Sequence, residues 1–223
     1  MMTNLFSIFD PSTSINMSLN WLSMVYFMMF LPMIYWMIPS KFLILWKILI
    51  DLIIKEMMIS LKGMNFYSLL MLTSLFIFIL LNNLISLFPY IYNNTSHLIL
   101  SISLSLTLWM SFMLFGWLKN STHMFIHLTP QGTPYILMPF MVMIESISNL
   151  IRPLTLSIRL SANIIAGHLL MTLISQSSNK LSFILIIIMI LIQTILIILE
   201  LAVSLIQAYV FSILSSLYSS ETN

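Results

Sequence analysis

Residues Leu181–Leu217 read LSFILIIIMILIQTILIILELAVSLIQAYVFSILSSL, an apolar run with no proline or glycine to interrupt it. With no breaker, a run of this length predicts one continuous α-helix. At a rise of about 1.5 Å per residue it is roughly 55 Å long, against a hydrocarbon core about 30 Å thick. Such a helix must tilt steeply, lie across the membrane, or break. The segment before it, Tyr135 to about Ser175, is also long and apolar, with Pro139 near its start and Pro153 inside. Ser175–Asn179 is a polar turn between the two. Together they predict a steeply inclined helical hairpin, well beyond the usual mean tilt of about 20°.

Working toward the N-terminus, Leu98–Leu118 reads as one span ended by Lys119, and Phe66–Phe88 as another, with Asn82 and Asn83 near its end. Pro89–Ser96 is the short turn between them, and Trp21–Ile38, interrupted by Pro32, is long enough for a further span. Lys41–Lys62 is different. Lys47, Asp51 and Lys55 are four apart and share a helical face. A charged stripe opposite apolar residues predicts a helix lying in the membrane interface. The expected fold is an all-α membrane protein: an N-terminal span, an interfacial amphipathic helix, a two-span hairpin and the long inclined hairpin. Residues 1–223 are read as one integral membrane domain without internal repeats.

Composition agrees. Of 223 residues, 60% are hydrophobic and 6% charged, where soluble domains carry about 25% charged residues. Without cysteine there are neither disulfides nor thiolate metal sites. The first twenty residues hold no Lys or Arg, so the chain reads as mature rather than as carrying a secretory or transit leader. Abundant Met with scarce Gly hints at an AT-rich genome. Lys41, Lys47, Lys55 and Lys62 precede one span and Lys119 follows another, which places both loops on the inner side; the N-terminus is then outside and the C-terminus inside. The chain has no Gly-rich phosphate loop, so no nucleotide is expected to bind it, and neither a cofactor nor nucleic acid is expected.

The chemistry lies in a few polar residues on the hairpin. Glu145, Asn149, Arg152, Leu156, Arg159 and Asn163 fall on one face at 100° per residue. Ser157, Ser161 and His168 form a second face, so the helix is expected to meet two polar environments. On the last helix Gln193, Glu200 and Gln207 are seven apart and share a face that can complete two polar clefts. An arginine at membrane depth costs on the order of 2.5–3.5 kcal/mol on insertion scales and marks a functional site. Arg159 sits between Glu145 and His168, where a fixed positive charge repels any cation crossing directly between two aqueous paths. Plainer readings stand beside these: Arg152 and Arg159 as structural charges paired with Glu145, Glu200 or a lipid headgroup, His168 as a hydrogen-bonded packing residue, and Gln193 and Gln207 as hydrogen-bonding contacts between helices. His123 and His127, four apart, could share a metal, but with no Cys, Asp or Glu near them they read as an interfacial pair, and no metal site is expected.

Three other functions compete. A haem carrier needs axial His or Met pairs on facing helices, and no span carries two of the 4 histidines. A secondary transporter often shows matching repeats, and none is visible. In a purely structural assembly subunit, Arg159 would serve folding rather than transport.

Arg159-Leu-Ser-Ala-Asn163 followed by Ala166-Gly167-His168 resembles subunit a of the F-type ATP synthase, in its mitochondrial, insect-like form. The likeness extends to Pro130-Gln-Gly-Thr-Pro134, Ile136-Leu-Met-Pro-Phe140, Glu145-Ser-Ile-Ser-Asn149, Ile206-Gln-Ala-Tyr-Val-Phe211 and the two chain ends, and covers essentially the whole chain. Ser161 stands where many relatives have Thr, a mild departure. The resemblance implies a proton-translocating stator subunit in the mitochondrial inner membrane, beside a ring of c-subunits and with peripheral-stalk subunits and lipid as neighbours. The N-terminus would face the intermembrane space and the C-terminus the matrix. Arg159 matches the essential arginine facing the ring carboxylate. His168 and Glu200 match the half-channel open to the intermembrane space, Glu145 an acidic position of the matrix half-channel, and Asn163 and Gln207 polar positions near the arginine. The chain itself would carry out no catalytic chemistry.

Overall fold

The computed structural model of the chain describes all residues except 1–4, 15, 34, 62–65, 130–133, 178–181 and 222–223. Several sequence features lie outside the described residues: Lys62, most of the Pro130–Pro134 motif, the end of the Ser175–Asn179 turn, Lys180, Leu181 and the opening four residues. After short 3-10 helices at Leu5–Phe9 and Leu19–Phe30 come α1 (Lys41–Ser60), α2 (Phe66–Ser86), α3 (Leu98–Lys119) and α4 (Ser121–Leu128). A 3-10 turn at Tyr135–Leu137 leads into α5 (Met138–Ser177), and α6 (Phe183–Glu221) completes the chain. Among the described residues, four helices are long and apolar enough to cross a membrane: Ser68–Ser86, Leu98–Lys119, Tyr135–Ser177 and Phe183–Ser220.

The two long helices are unbroken, at 40 residues for α5 and 39 for α6. Each is therefore close to 60 Å long, about twice the hydrocarbon thickness. Pro153 lies inside α5 without ending it. A proline removes one backbone bond and bends a helix, and here it is buried, beside Leu108 and Phe112 of α3.

The first apolar run differs from expectation. Of the described residues in this run only Leu19–Phe30 are helical, 12 residues wound as a 3-10 helix, and 31–33 and 35–40 are not helical. At about 2.0 Å per residue the helix covers roughly 24 Å, less than the membrane core. Proline at 32 lacks the N–H that would carry the helix on. The segment runs antiparallel to α2 nonetheless. Ser23 Oγ donates to Tyr92 O (3.0 Å), the Phe27 ring meets Phe78 edge-on at 5.1 Å, and Leu31 lies with Ser74 and Leu75.

Helix α1 begins at Ser40, whose Oγ accepts from Leu43 N. Lys41, Lys47, Asp51, Lys55 and Glu56 are all exposed, and so are Phe42, Leu45, Leu49 and Leu52. The helix touches the bundle at its end, where Met57 is buried and Ser60 Oγ donates to Ser216 Oγ (2.7 Å). Charges and large apolar groups exposed on one helix fit the interfacial placement expected for it.

The core is built from both hairpins: Phe76 and Ile79 of α2, Leu108 of α3, Leu156 and Leu160 of α5, and Ala208 and Phe211 of α6. Helix α6 packs most extensively on α2, and α5 on α3, each more than α5 and α6 on one another. Buried serines line these contacts, among them Ser101, Ser105, Ser157, Ser161, Ser212 and Ser216. Small residues let membrane helices approach closely where apolar burial provides no drive. Their hydroxyls donate back to their own helix, as Ser157 Oγ does to Leu154 O (2.8 Å).

Candidate functional site

The expected stripe on α5 is divided by the packing. Leu156 turns into the core, and so do Ser157 and Ser161 of the second face. Ser161 Oγ donates to Ile158 O (3.2 Å) and Ser157 O (3.4 Å). Those two serines therefore form a packing seam, not the polar surface expected of them. Arg159 and Asn163 are exposed, on the side away from the buried residues. Among the described residues no carboxylate pairs with Arg159. Its guanidinium is thus presented outward from the bundle.

Polar residues gather at two separate places along α5. The first cleft, about 190 Å³, lies where α3, α4, α5 and the end of α6 meet. Glu145, Asn149 and Arg152 of α5 line it with Trp117, His127 and Tyr218. Arg152 Nη2 stands 3.8 Å from Glu145 Oε1, and its guanidinium lies 5.4 Å from the centre of the Tyr218 ring. Of the partners that the plainer reading leaves open for Arg152, Glu145 is the one it meets.

The second cleft opens at the other end of the bundle as a vestibule of about 670 Å³. Asp10, Asn20, Tyr92, Gln193, His168 and Glu200 are among its walls. It narrows to a throat of about 20 Å³ shared by Asn83, Asn163, Gly167, His168, Glu200 and Ser204. That volume holds about one water molecule. His168 Nε2, Glu200 Oε1 and both amide atoms of Asn83 are buried there without a hydrogen-bond partner. Buried polar atoms are nearly always paired, and unpaired ones in a polar throat mark a place for water or an exchanging proton. Gly167 makes room for the carboxylate: a Cβ built there would stand 2.8 Å from Glu200 Cδ.

The vestibule rim is held by local bonds. The Asp10 carboxylate accepts from Ser12 N (3.1 Å) and Ser12 Oγ (2.8 Å), which holds its pKa below the ordinary carboxylate value. Tyr92 Oη donates to Phe9 O (3.2 Å) and touches His97 Nε2. Burial, and then the charge of Asp10, push the Tyr92 phenol up to about 12.

The structure brings His168, Glu200 and Asn163 together and puts Glu145 in a different cleft. Gln193 joins Glu200 in the vestibule, whereas Gln207 is buried and lines neither cleft. His123 and His127 stack edge-on at 4.5 Å, and the described residues contain no cluster able to hold a metal. Asn83, Gly167 and Tyr218 were not singled out as site residues by sequence reasoning. For Asn83 a signal existed, because two adjacent amides inside a span are costly unless satisfied or used. Asn82 Nδ2 is satisfied by Phe78 O (3.0 Å).

Fold and site together define a polytopic α-helical membrane protein with polar clefts toward opposite ends of one long helix and an outward arginine between them. The family model described as ATP synthase A chain matches residues 15–220. Proteins named ATP synthase subunit a are similar over the whole chain: that of Drosophila melanogaster is 53% identical over 225 residues, 100% of each chain. That of Aedes aegypti is 53% identical over 227 residues, again 100% of each, and that of Locusta migratoria 54% over 224 residues, 99% of each. The chain belongs to the ATP synthase subunit a family.

Proposed function

We propose that this protein translocates protons in the membrane sector of a mitochondrial F-type ATP synthase, through two offset half-channels separated by Arg159. The observation that carries the reading is the position of the two clefts on one helix. Arg159 is fourteen residues from Glu145 and nine from His168, or roughly 21 Å and 14 Å along the axis. Neither cleft includes Arg159 in its lining.

A proton from the intermembrane space enters the vestibule and passes His168, Glu200, Asn83 and Asn163. It neutralises a carboxylate on a ring of c-subunits, which then faces lipid at little electrostatic cost. After nearly a full turn the carboxylate reaches the Glu145 cleft and releases its proton toward the matrix. The ionised carboxylate next passes Arg159, whose fixed charge stabilises it and repels a proton leaking straight across. Each charge moved through the membrane potential supplies about 2.3 kcal/mol per 100 mV. Gln207, buried on α6, belongs to the supporting contacts behind this surface.

In this reading residues 1–223 form one membrane domain of the inner mitochondrial membrane, with the N-terminus toward the intermembrane space and the C-terminus in the matrix. The N-terminal residues Ser7 and Asp10 share the vestibule with His168 and Ser175, while Ser60 bonds Ser216 near the end of α6, which supports termini on opposite sides. Partners are the c-ring, the other membrane-sector and peripheral-stalk subunits, lipid and protons.

Replacing Arg159 by Ala in the assembled complex tests the function. ATP-driven proton pumping should stop and passive proton leak should rise. Pumping that survives in an intact complex makes the charge structural and removes the mechanism.

A further inference from the structure

We propose that Arg152 is a positioning residue for Glu145, holding its carboxylate at the mouth of the first cleft while resting on the Tyr218 ring and so tying α5 to the last turns of α6. This rests on the reading of that cleft as the matrix-side half-channel. Three groups from two helices converge: Glu145 Oε1 is 3.8 Å from Arg152 Nη2, and the guanidinium is 5.4 Å from the Tyr218 ring centre. The side chains of Arg152 and Glu145 are 32% and 39% exposed, so the pair lies open at the cleft rather than sealed inside the bundle.

A structural salt bridge and a positioning contact differ in what they do to transport. An isolated carboxylate on the cleft wall samples several rotamers, some turned away from the cleft. A guanidinium seven residues further along the same helix face, 3.8 Å from the carboxylate, favours those pointing along the stripe. The aromatic face below the guanidinium limits Arg152 in turn, since a cation over a ring is attracted by its quadrupole. Of the other groups in the cleft, His127 of α4 is the titratable one, and Trp109 and Trp117 of α3 supply apolar wall. Proton transfer along the cleft then depends on Arg152 through Glu145, without Arg152 exchanging a proton itself.

The test compares Arg152→Gln, Arg152→Lys, Glu145→Gln and the double variant Arg152→Gln/Glu145→Gln in assembled complexes, reading ATP-driven pumping in inverted membrane vesicles. Arg152→Gln should slow pumping about threefold, the size expected of a partly exposed ion pair, and Arg152→Lys should recover most of it. In the Glu145→Gln background Arg152→Gln should add no further loss. If Glu145→Gln pumps normally, the reading of the cleft fails and the proposal with it. If Glu145→Gln is slow but Arg152→Gln adds its full effect on top, the cleft reading stands and the positioning role is overturned. Equal loss in Arg152→Gln and Arg152→Lys overturns it as well. Should Arg152→Gln fail to assemble, Tyr218→Leu and Tyr218→Phe replace it: the variant keeping the ring should lose less, and equal loss counts against the proposal.

Discussion

Gly167 and Glu200 face each other across the contact between α5 and α6 so closely that a Cβ on the glycine would lie 2.8 Å from the carboxyl carbon. The helix is regular there, so the need is for space and not for an unusual backbone angle. Gly167→Ala should strengthen α5 by intrinsic preference, since glycine in a helix interior is about 0.8–1.0 kcal/mol worse than alanine. It should nevertheless slow pumping several-fold, because Glu200 must leave the throat. Pumping and assembly of Gly167→Ala complexes, measured together, check this; an assembled complex pumping at the normal rate rejects the role given to the close approach.

Asn83 is almost fully buried with neither amide atom paired. Leaving such a group unsatisfied costs about 1–3 kcal/mol. Asn83→Leu is therefore expected to raise the thermal stability of the complex while lowering its proton flux. A thermal melt and a pumping assay on the same preparation report the two signs, and a fall in both would show that Asn83 is structural.

Ser161 distinguishes a packing seam from a polar path. Its hydroxyl is turned back on α5, so Ser161→Ala should leave pumping unaltered. Ser161→Leu inserts a larger side chain into a packed contact, a change worth about 1–3 kcal/mol, and should reduce the yield of assembled complex. A loss of pumping in the alanine variant would restore the polar reading of that face.

Tyr92 gives an alkaline prediction. Its phenol is raised from 10.0 to about 12 by burial and then by Asp10. A raised folded value means that its contribution is fully present below pH 10 and is lost as pH climbs toward 12. Stability of the purified complex should fall across that window, and Tyr92→Phe should flatten the fall. The group is partly exposed, so the effect is a fraction of what the shift alone implies. An identical pH profile in the variant would assign the alkaline loss to other groups.

Much of the architecture is legible in the sequence. Leu181–Leu217 lacks a breaker, and α6 runs unbroken over 39 residues. The stripe of four-apart charges at Lys47, Asp51 and Lys55 marked α1 as interfacial, and those charges are exposed. The N-terminal run is helical over only Leu19–Phe30, ahead of Pro32, and its winding is 3-10, which apolar composition does not reveal. On α5 the spacing placed Glu145, Arg152, Arg159 and Asn163 correctly along the axis, but it could not say which way the face would point.

Sequence alone carries the four long helices, their approximate lengths and the height of each polar residue along them. These follow from backbone hydrogen bonding in an apolar medium, where a long apolar segment satisfies its own N–H and C=O groups by winding into a helix. Tertiary structure alone decided that Ser157 and Ser161 face the core, that Gln207 lies outside both clefts, that Asn83 joins His168 and Glu200, and that Tyr218 lies beneath Arg152. The reason is physical. On helices that are apolar all round, the side facing a neighbour and the side facing lipid have nearly the same composition. Facing is then set by the close fit of small residues between neighbouring helices, which no single helix encodes.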